Sequence, residues 1–271
     1  MVEIGNIKIG LGRPLTIIAG PCVIENSKMI LETASELKKV TLDYSAQFIF
    51  KASYRKANRT SIDSFTGLPF EDALDVLNLV KEKLAVPILT DVHNELEVPL
   101  VAEVVDVLQI PAFLSRQTEL LIAVGRTGRA VNIKKGQFLA PQDMESVAEK
   151  VRSTGNKNIL LTERGTSFGY RNLVVDMRSL LIMQKIGYPV VYDATHSIQI
   201  PGGLEISSGG QPEYILPLAK AALATGAVSA IFMEVHPDPP NALSDAASQL
   251  SLQKFRLVLE QLLQVHQIAR L

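Results

Sequence analysis

Phe48-Ile49-Phe50-Lys51-Ala52-Ser53-Tyr54-Arg55-Lys56-Ala57-Asn58-Arg59-Thr60-Ser61 passes from an apolar run into a basic one within a few residues. Phe48-Ile49-Phe50 reads as a buried strand, because short aromatic and β-branched runs favour extended backbone. Lys51, Arg55, Lys56 and Arg59 then leave the strand end with Ser, Thr and Asn side chains between them. Ammonium and guanidinium groups supply charge, and hydroxyl and amide groups supply oriented hydrogen bonds, a combination that holds phosphate and carboxylate. A basic run seen alone is more often a solvated loop. The rhythm of the whole chain decides between the two.

That rhythm is regular. Apolar runs like Phe48–Phe50 recur at Leu15–Ala19, Pro87–Leu89, Val107–Ile110, Ala130–Ile133, Ile159–Leu161, Val190–Tyr192 and Ala230–Met233. Between them lie segments of helical period: Met29–Lys39, Ala73–Leu84, Leu96–Val104, Thr118–Thr127, Met144–Arg152, Asp176–Ile186 and Glu213–Ala224, with Leu252–Ile268 closing the series. Alternating β and α elements predict a parallel sheet with helical crossovers. Eight repeats in a chain of 271 residues predict an α/β fold of the (β/α)8 TIM-barrel type, one domain over residues 1–271. A doubly wound open sheet is the alternative, but it usually carries a glycine-rich turn after its first strand, and here Gly20-Pro21-Cys22 stands there. Val2, Ile4, Ile7 and Ile9 alternate around Gly5-Asn6, so residues 1–12 are expected to hold a small β-hairpin before the barrel.

Composition narrows the partners. A formal net charge of −1, with 47% hydrophobic and 20% charged residues, is that of an ordinary globular chain and points to no nucleic-acid partner. No apolar run approaches the roughly 20 residues that span a bilayer. Met1-Val2-Glu3-Ile4-Gly5 has no basic region leading into an apolar one, and the single cysteine, Cys22, has no internal disulfide partner. A cytoplasmic location is therefore expected.

In such a barrel the chemistry collects where the strands end. The apolar runs deliver, in order, Cys22 and Glu25; Lys51 and the basic stretch; Asp91 and His93; Gln109, then Phe113 and Arg116; Lys134 and Lys135; Glu163 and Arg164; Asp193 and His196; and Glu234 and His236, with Asp245 shortly after. Polar groups at every end are costly to bury without partners, which argues for an enzyme. Lys51, Lys56, Arg59, Lys134 and Arg164 would form a cationic ring suited to a polyanionic substrate, although each alone could be a surface ion pair. Cys22, His196, Glu234 and Asp245 are ligand types for a divalent transition metal, and strands one, seven and eight become neighbours on closure. Against the metal stands the ordinary fate of a lone cysteine or histidine after a strand, a buried packing residue.

Ala19-Gly20-Pro21-Cys22, Lys56-Ala57-Asn58-Arg59-Thr60-Ser61, Gln109-Ile110-Pro111-Ala112-Phe113, Lys134-Lys135-Gly136-Gln137, Thr162-Glu163-Arg164-Gly165, Tyr192-Asp193-Ala194-Thr195-His196-Ser197 and Pro201-Gly202-Gly203 occur in this order along almost the whole chain. In these motifs the chain resembles the 3-deoxy-D-manno-octulosonate 8-phosphate (KDO-8-phosphate) synthases. The resemblance implies a barrel transferase, commonly a homotetramer, that condenses phosphoenolpyruvate with arabinose 5-phosphate for lipopolysaccharide biosynthesis. The nearest rival, the related DAHP synthase that uses erythrose 4-phosphate, carries Lys-Pro-Arg followed by Ser or Thr in this loop, where this chain has Ala57-Asn58. An amide there can bond a hydroxyl of a longer sugar, a matched contact that discriminates strongly. A non-catalytic sugar-phosphate-binding barrel and a reversible metal-dependent aldolase are the readings from other classes.

The resemblance also distributes roles. Lys56, Lys134 and Arg164, helped by Lys51 and Gln109, are implied to hold phosphoenolpyruvate; Asn58, Arg59 and Thr60 to hold arabinose 5-phosphate; and Phe113 to face the substrates. Arg116 is implied to reach a neighbouring subunit's site. Metal-independent relatives carry Asn at the position of Cys22, and with Ser244-Asp245-Ala246 this chain matches the metal-dependent pattern. One divalent ion per subunit, whether Zn, Fe(II), Mn or Cd, is then held by Cys22, His196, Glu234 and Asp245. Lys56 and Lys134 are the implied catalytic cations, and Asp91, His93 and Asp245 are candidates for handling protons or positioning water. The Gly- and Ser-rich loop Ser197–Gln211 reads as a lid or as a rigid surface turn.

Overall fold

Each strand buries one row of side chains inside a closed barrel and the other row under the helices. In the computed structural model, which describes residues 1–59, 61–170, 173–204 and 207–269, eight parallel strands run in chain order around the barrel. They are β1 (Thr16–Gly20), β2 (Gln47–Lys51), β3 (Ile88–Asp91), β4 (Val107–Ile110), β5 (Ala130–Lys134), β6 (Ile159–Glu163), β7 (Val190–Asp193) and β8 (Val228–His236). β8 pairs with β7 on one side and β1 on the other, which closes the ring. The crossovers are α1 (Ser27–Asp43), α2 (Phe70–Leu84), α3 (Val98–Val104), α4 (Thr118–Arg126), α5 (Met144–Arg152), α6 (Arg178–Gln184) and α7 (Ile215–Ala224), and α8 (Leu252–Ala269) follows β8.

The helices form where the periodicity places them. α1 buries Ile30, Ala34, Leu37 and Thr41 at three- and four-residue spacing, and the Asn26 side chain caps it by accepting the Met29 N–H at 2.9 Å. α2 stops at Ala85, whose left-handed φ of 48° ends the helix. Every expected strand and helix is present. Among the strands the largest shift in bounds is β8, buried through all nine residues because it lies between two strands and then continues past Glu234 to pair with Leu250–Ser251.

Along the strands, alternate residues point inward. Ile18, Ile49, Leu89, Val107, Ala130, Leu160, Val191, Ala230 and Phe232 make one interior cluster. The amino-terminal hairpin, Val2–Ile4 paired with Ile7–Ile9 across a turn that holds Gly5 at φ 55°, belongs to that same cluster through Val2, Ile4 and Ile9. It packs under the amino-terminal end of the barrel, opposite the carboxyl ends of the strands. Within the loop Ser197–Gln211 the structure adds an antiparallel ribbon, Gln199–Leu204 with Ser207–Gly210. Gly210 lies against the loop after β8, where a Cβ would meet the Ala247 carbonyl oxygen at 2.5 Å.

Candidate active site

The next inward positions beyond the apolar layer are polar, and they floor a cavity of about 700 Å³ at the carboxyl ends of the strands. Lys51, Lys56, Asn58, Arg59, Asp91, His93, Gln109, Phe113, Lys134, Arg164, His196, Glu234 and Asp245 all line it. A second hollow, of about 520 Å³, lies near the hairpin turn, but its lysines are occupied: Lys38 donates to the Leu84 carbonyl and Lys81 to the Val104 carbonyl and Asp106. The groups that can perform chemistry converge at the mouth.

The cations are not the bare ring that their strand ends predict. Lys51 Nζ sits 2.5 Å from Glu234 Oε1 and donates to the Cys22 carbonyl at 3.0 Å. Lys56 Nζ lies 3.6 Å from Glu234 and 3.8 Å from Asp91. Lys134 pairs with Asp193, and its ammonium lies 3.2 Å from the centroid of the Phe232 ring. Each buried ammonium thus has an internal carboxylate, as burial of charge demands. The open donors are on the guanidinium groups: Arg164 Nη1 and Arg59 Nη2 are buried and without partners, while Arg164 Nη2 donates to Gln199 and Arg59 Nε to the Phe65 carbonyl. Two guanidinium groups with unpartnered arms, both lining one cavity, are receptors for anionic oxygens.

The environment sets the protonation states. Burial pushes Lys134 down to about 8, against the opposing pull of Asp193. Burial also works against the charge of Lys56, but Cys22, Glu234, Asp91 and Asp245 around it carry its pKa well above the ordinary lysine value. Asp91, although burial opposes its ionisation, is held down to about 2 by Lys56, Lys51, His93 and the Ser53 hydroxyl. Burial lowers His93 below its usual value, and its Nε2 faces the Arg55 carbonyl at 3.0 Å, so the neutral ring donates there and leaves Nδ1 as acceptor.

Cys22, Glu234 and Asp245 bring a sulfur and two carboxylate oxygens within 4.8 Å of one another, the one such group among the described residues. These residues fit a metal on their own geometry, and one carboxylate oxygen of the group, Glu234 Oε2, is buried with no partner. Without a cation, burial and the neighbouring Asp245 and Glu234 push the Cys22 thiol well up, as expected where ligands crowd. Asp245 reaches the group from a left-handed backbone conformation, φ 48°. The chain therefore has a possible metal-binding group. His196 stands beside it, with Nε2 at 3.6 Å from Glu234 Oε1 and Nδ1 at 2.8 Å from Asp193.

Other groups fall differently. Arg116 is exposed and does not line the cavity; its carbonyl accepts Lys150 at 3.0 Å. Thr60 lies outside the described residues. Glu25 and His236, both at strand ends, face each other at 3.4 Å away from the cavity. Asp193, placed by the sequence reading but given no role in it, holds Lys134, His196 and the Thr195 hydroxyl together, and His196 and Lys134 keep its carboxyl far below the usual range despite burial. Its signal was its place at the end of β7.

Comparison with known proteins agrees with this geometry. A 2-dehydro-3-deoxyphosphooctonate aldolase of Geotalea uraniireducens is 56% identical over 99% of this chain and 98% of its own length. Proteins of the same description from Geobacter sulfurreducens and a Cyanothece species are 52% and 54% identical, over 99% and 96% of this chain and 98% and 95% of their own lengths. The model of the DAHP synthetase I family matches residues 1–270, and the chain belongs to that family.

Proposed function

We propose that this chain condenses phosphoenolpyruvate with arabinose 5-phosphate and water to give 3-deoxy-D-manno-octulosonate 8-phosphate and inorganic phosphate. The observation that carries this reading is the mouth itself: Arg59 and Arg164, each with an unpartnered buried donor, line one cavity together with Lys51, Lys56 and Lys134. The relatives' name contains an octonate, an eight-carbon acid, which we take as the product. Phosphoenolpyruvate supplies three carbons, so the acceptor supplies five, which favours a pentose phosphate over the four-carbon acceptor of the rival synthase. Asn58, exposed on the cavity wall after β2, offers its amide to that longer sugar.

In this reading Lys134, Lys56 and Arg164 bind the carboxylate and phosphate of phosphoenolpyruvate, and Arg59 with Thr60 binds the phosphate of the sugar. The enol carbon attacks the aldehyde, water adds at the phosphate-bearing carbon, and phosphate leaves. Fixed cations stabilise the negative charge along this path without reorganising. Asp91 stays ionised, so its role is to hold Lys56 and Gln109, while the free Nδ1 of neutral His93 is the better placed acceptor for a proton from water. Cys22, Glu234 and Asp245, with His196 alongside, would hold a divalent ion; when bound it supplies a Lewis acid for the aldehyde oxygen, and the mixed donor set accepts Zn, Fe(II), Mn or Cd. A homotetramer in which Arg116 reaches a neighbouring subunit's site belongs to the same reading, supported by the exposure of Arg116 beside Phe113, which is 57% exposed.

The test is phosphate release from phosphoenolpyruvate with each acceptor. Release with arabinose 5-phosphate and not with erythrose 4-phosphate is expected; the reverse preference assigns the rival reaction, and no release leaves a binding protein. Chelation is expected to stop turnover, and Cys22→Ala to lose bound metal by elemental analysis. Full metal content in that variant would remove Cys22 from the site.

A further inference from the structure

Just beneath the cavity a single line of hydrogen bonds crosses five consecutive strands or strand ends. The Thr162 hydroxyl donates to Asn132 Oδ1 at 2.6 Å, Asn132 Nδ2 donates to Gln109 Oε1 at 2.8 Å, and Gln109 Nε2 donates to Asp91 Oδ1. The Ser53 hydroxyl donates to the other oxygen of Asp91 at 2.8 Å. Gln109 and Asp91 line the cavity, whereas Asn132 and Thr162 are fully buried and do not. Register makes the line possible: Asp91 is opposite Gln109, and Gln109 opposite Asn132.

We propose that Asn132 and Thr162 are positioning residues that fix the amide of Gln109, so that it presents an N–H, and not its oxygen, to the anionic substrate. The polarity of the line follows from one group. Asp91 is ionised and can only accept. Gln109 must therefore turn its NH2 toward Asp91, which leaves Oε1 for Asn132. That oxygen requires the NH2 of Asn132, and the remaining Oδ1 requires a hydroxyl donor, which Thr162 supplies. Each amide has only one orientation that satisfies all its neighbours, and a buried unsatisfied alternative is costly. With Oε1 engaged by Asn132 and one N–H by Asp91, the group that Gln109 has left is its second N–H. Breaking the line at Asn132 leaves Oε1 free to turn toward the cavity, where it would repel a carboxylate or phosphate.

This inference rests on the proposed condensation, and steady-state kinetics with phosphoenolpyruvate separate the two. Asn132→Asp keeps the shape but replaces the donor with an acceptor facing Gln109 Oε1. At pH near 7.5 it is expected to raise KM for phosphoenolpyruvate by roughly ten-fold or more, with a smaller change in kcat, the scale of one misdirected buried hydrogen bond. When pH falls far enough to protonate the introduced carboxyl, that group donates again and KM returns toward the wild-type value. Asp91, Lys56, Lys51, His93 and Lys134 surround the same floor, so each pH point is compared with wild type at that pH. Thr162→Val should raise KM in the same sense and Thr162→Ser should restore it, which keeps the test intact if Asn132→Asp does not fold. Wild-type KM in both Asn132→Asp and Thr162→Val, or a loss in kcat alone without recovery at low pH, overturns the proposal. Absence of phosphate release by the wild-type chain would instead overturn the reading on which it rests.

Discussion

Lys134 carries its charge in an unfavourable place. Its ammonium is buried between the Phe232 ring and Asp193, and burial brings its pKa down to about 8. Below that pH the group is a cation that can hold phosphoenolpyruvate; above it the group is a neutral amine. For the free protein, kcat/KM for phosphoenolpyruvate is therefore expected to fall as pH rises through about 8, because this parameter reports the unliganded enzyme. Lys134→Arg keeps the charge at high pH, so the alkaline limb should disappear even though the poorer fit lowers the rate. A limb that persists unchanged in Lys134→Arg would assign it to another group. The type and position of Lys134 were legible in the sequence, since it ends an apolar run. Its shifted protonation was not, because the burial that lowers it exists only once the barrel closes around the ammonium, with Asp193, 59 residues away, pulling the other way.

At the scale of elements, the alternation of apolar runs with helical segments was enough to place all eight strands and eight helices, since burial dictates both periods. What the runs did not show was the inward row itself. Leu89 and Asp91, Val107 and Gln109, or Ala130, Asn132 and Lys134 share a side of their strands, yet in sequence each strand reads as one apolar run with a polar end. A strand buried on both faces loses the simple alternation that would separate them. The ribbon within Ser197–Gln211 was hidden for another reason: Gly and Ser carry little strand preference, and its pairing depends on the loop after β8. Gly20, read only as part of the turn toward Cys22, has a packing role at the end of β1. A Cβ there would lie 2.0 Å from the Lys51 carbonyl oxygen and 2.8 Å from the Phe50 ring. Gly20→Ala must push the ends of β1 and β2 apart and move Lys51 from Glu234. It is expected to cost roughly 1–3 kcal/mol or more, a loss of several degrees in Tm, together with a drop in turnover. An unchanged Tm with normal turnover would show that the two strand ends can part freely.

The whole molecule separates its stability from its chemistry along the barrel axis. At one end the hairpin packs under the interior with Val2, Ile4 and Ile9; at the other, paired charges floor the cavity. Glu3 and Lys8 meet at 3.2 Å on the solvent side of the hairpin, half exposed, so they contribute little, and the attachment rests on the apolar row. Ile9 is wholly buried against that interior cluster. Ile9→Ala removes its packing and leaves a void, at a cost of about 2–5 kcal/mol. In a chain of this size that lowers Tm by roughly 5–15 °C. The apolar interior layer stands between the hairpin and the polar floor, and the void left by the loss of three side-chain carbons lies on the hairpin side of it. Turnover at 25 °C should therefore stay within about two-fold of wild type while the melting temperature falls. Thermal unfolding followed alongside phosphate release decides the matter. A variant that melts normally but turns over slowly would mean that the hairpin acts on the mouth through the barrel, and that the two ends are coupled.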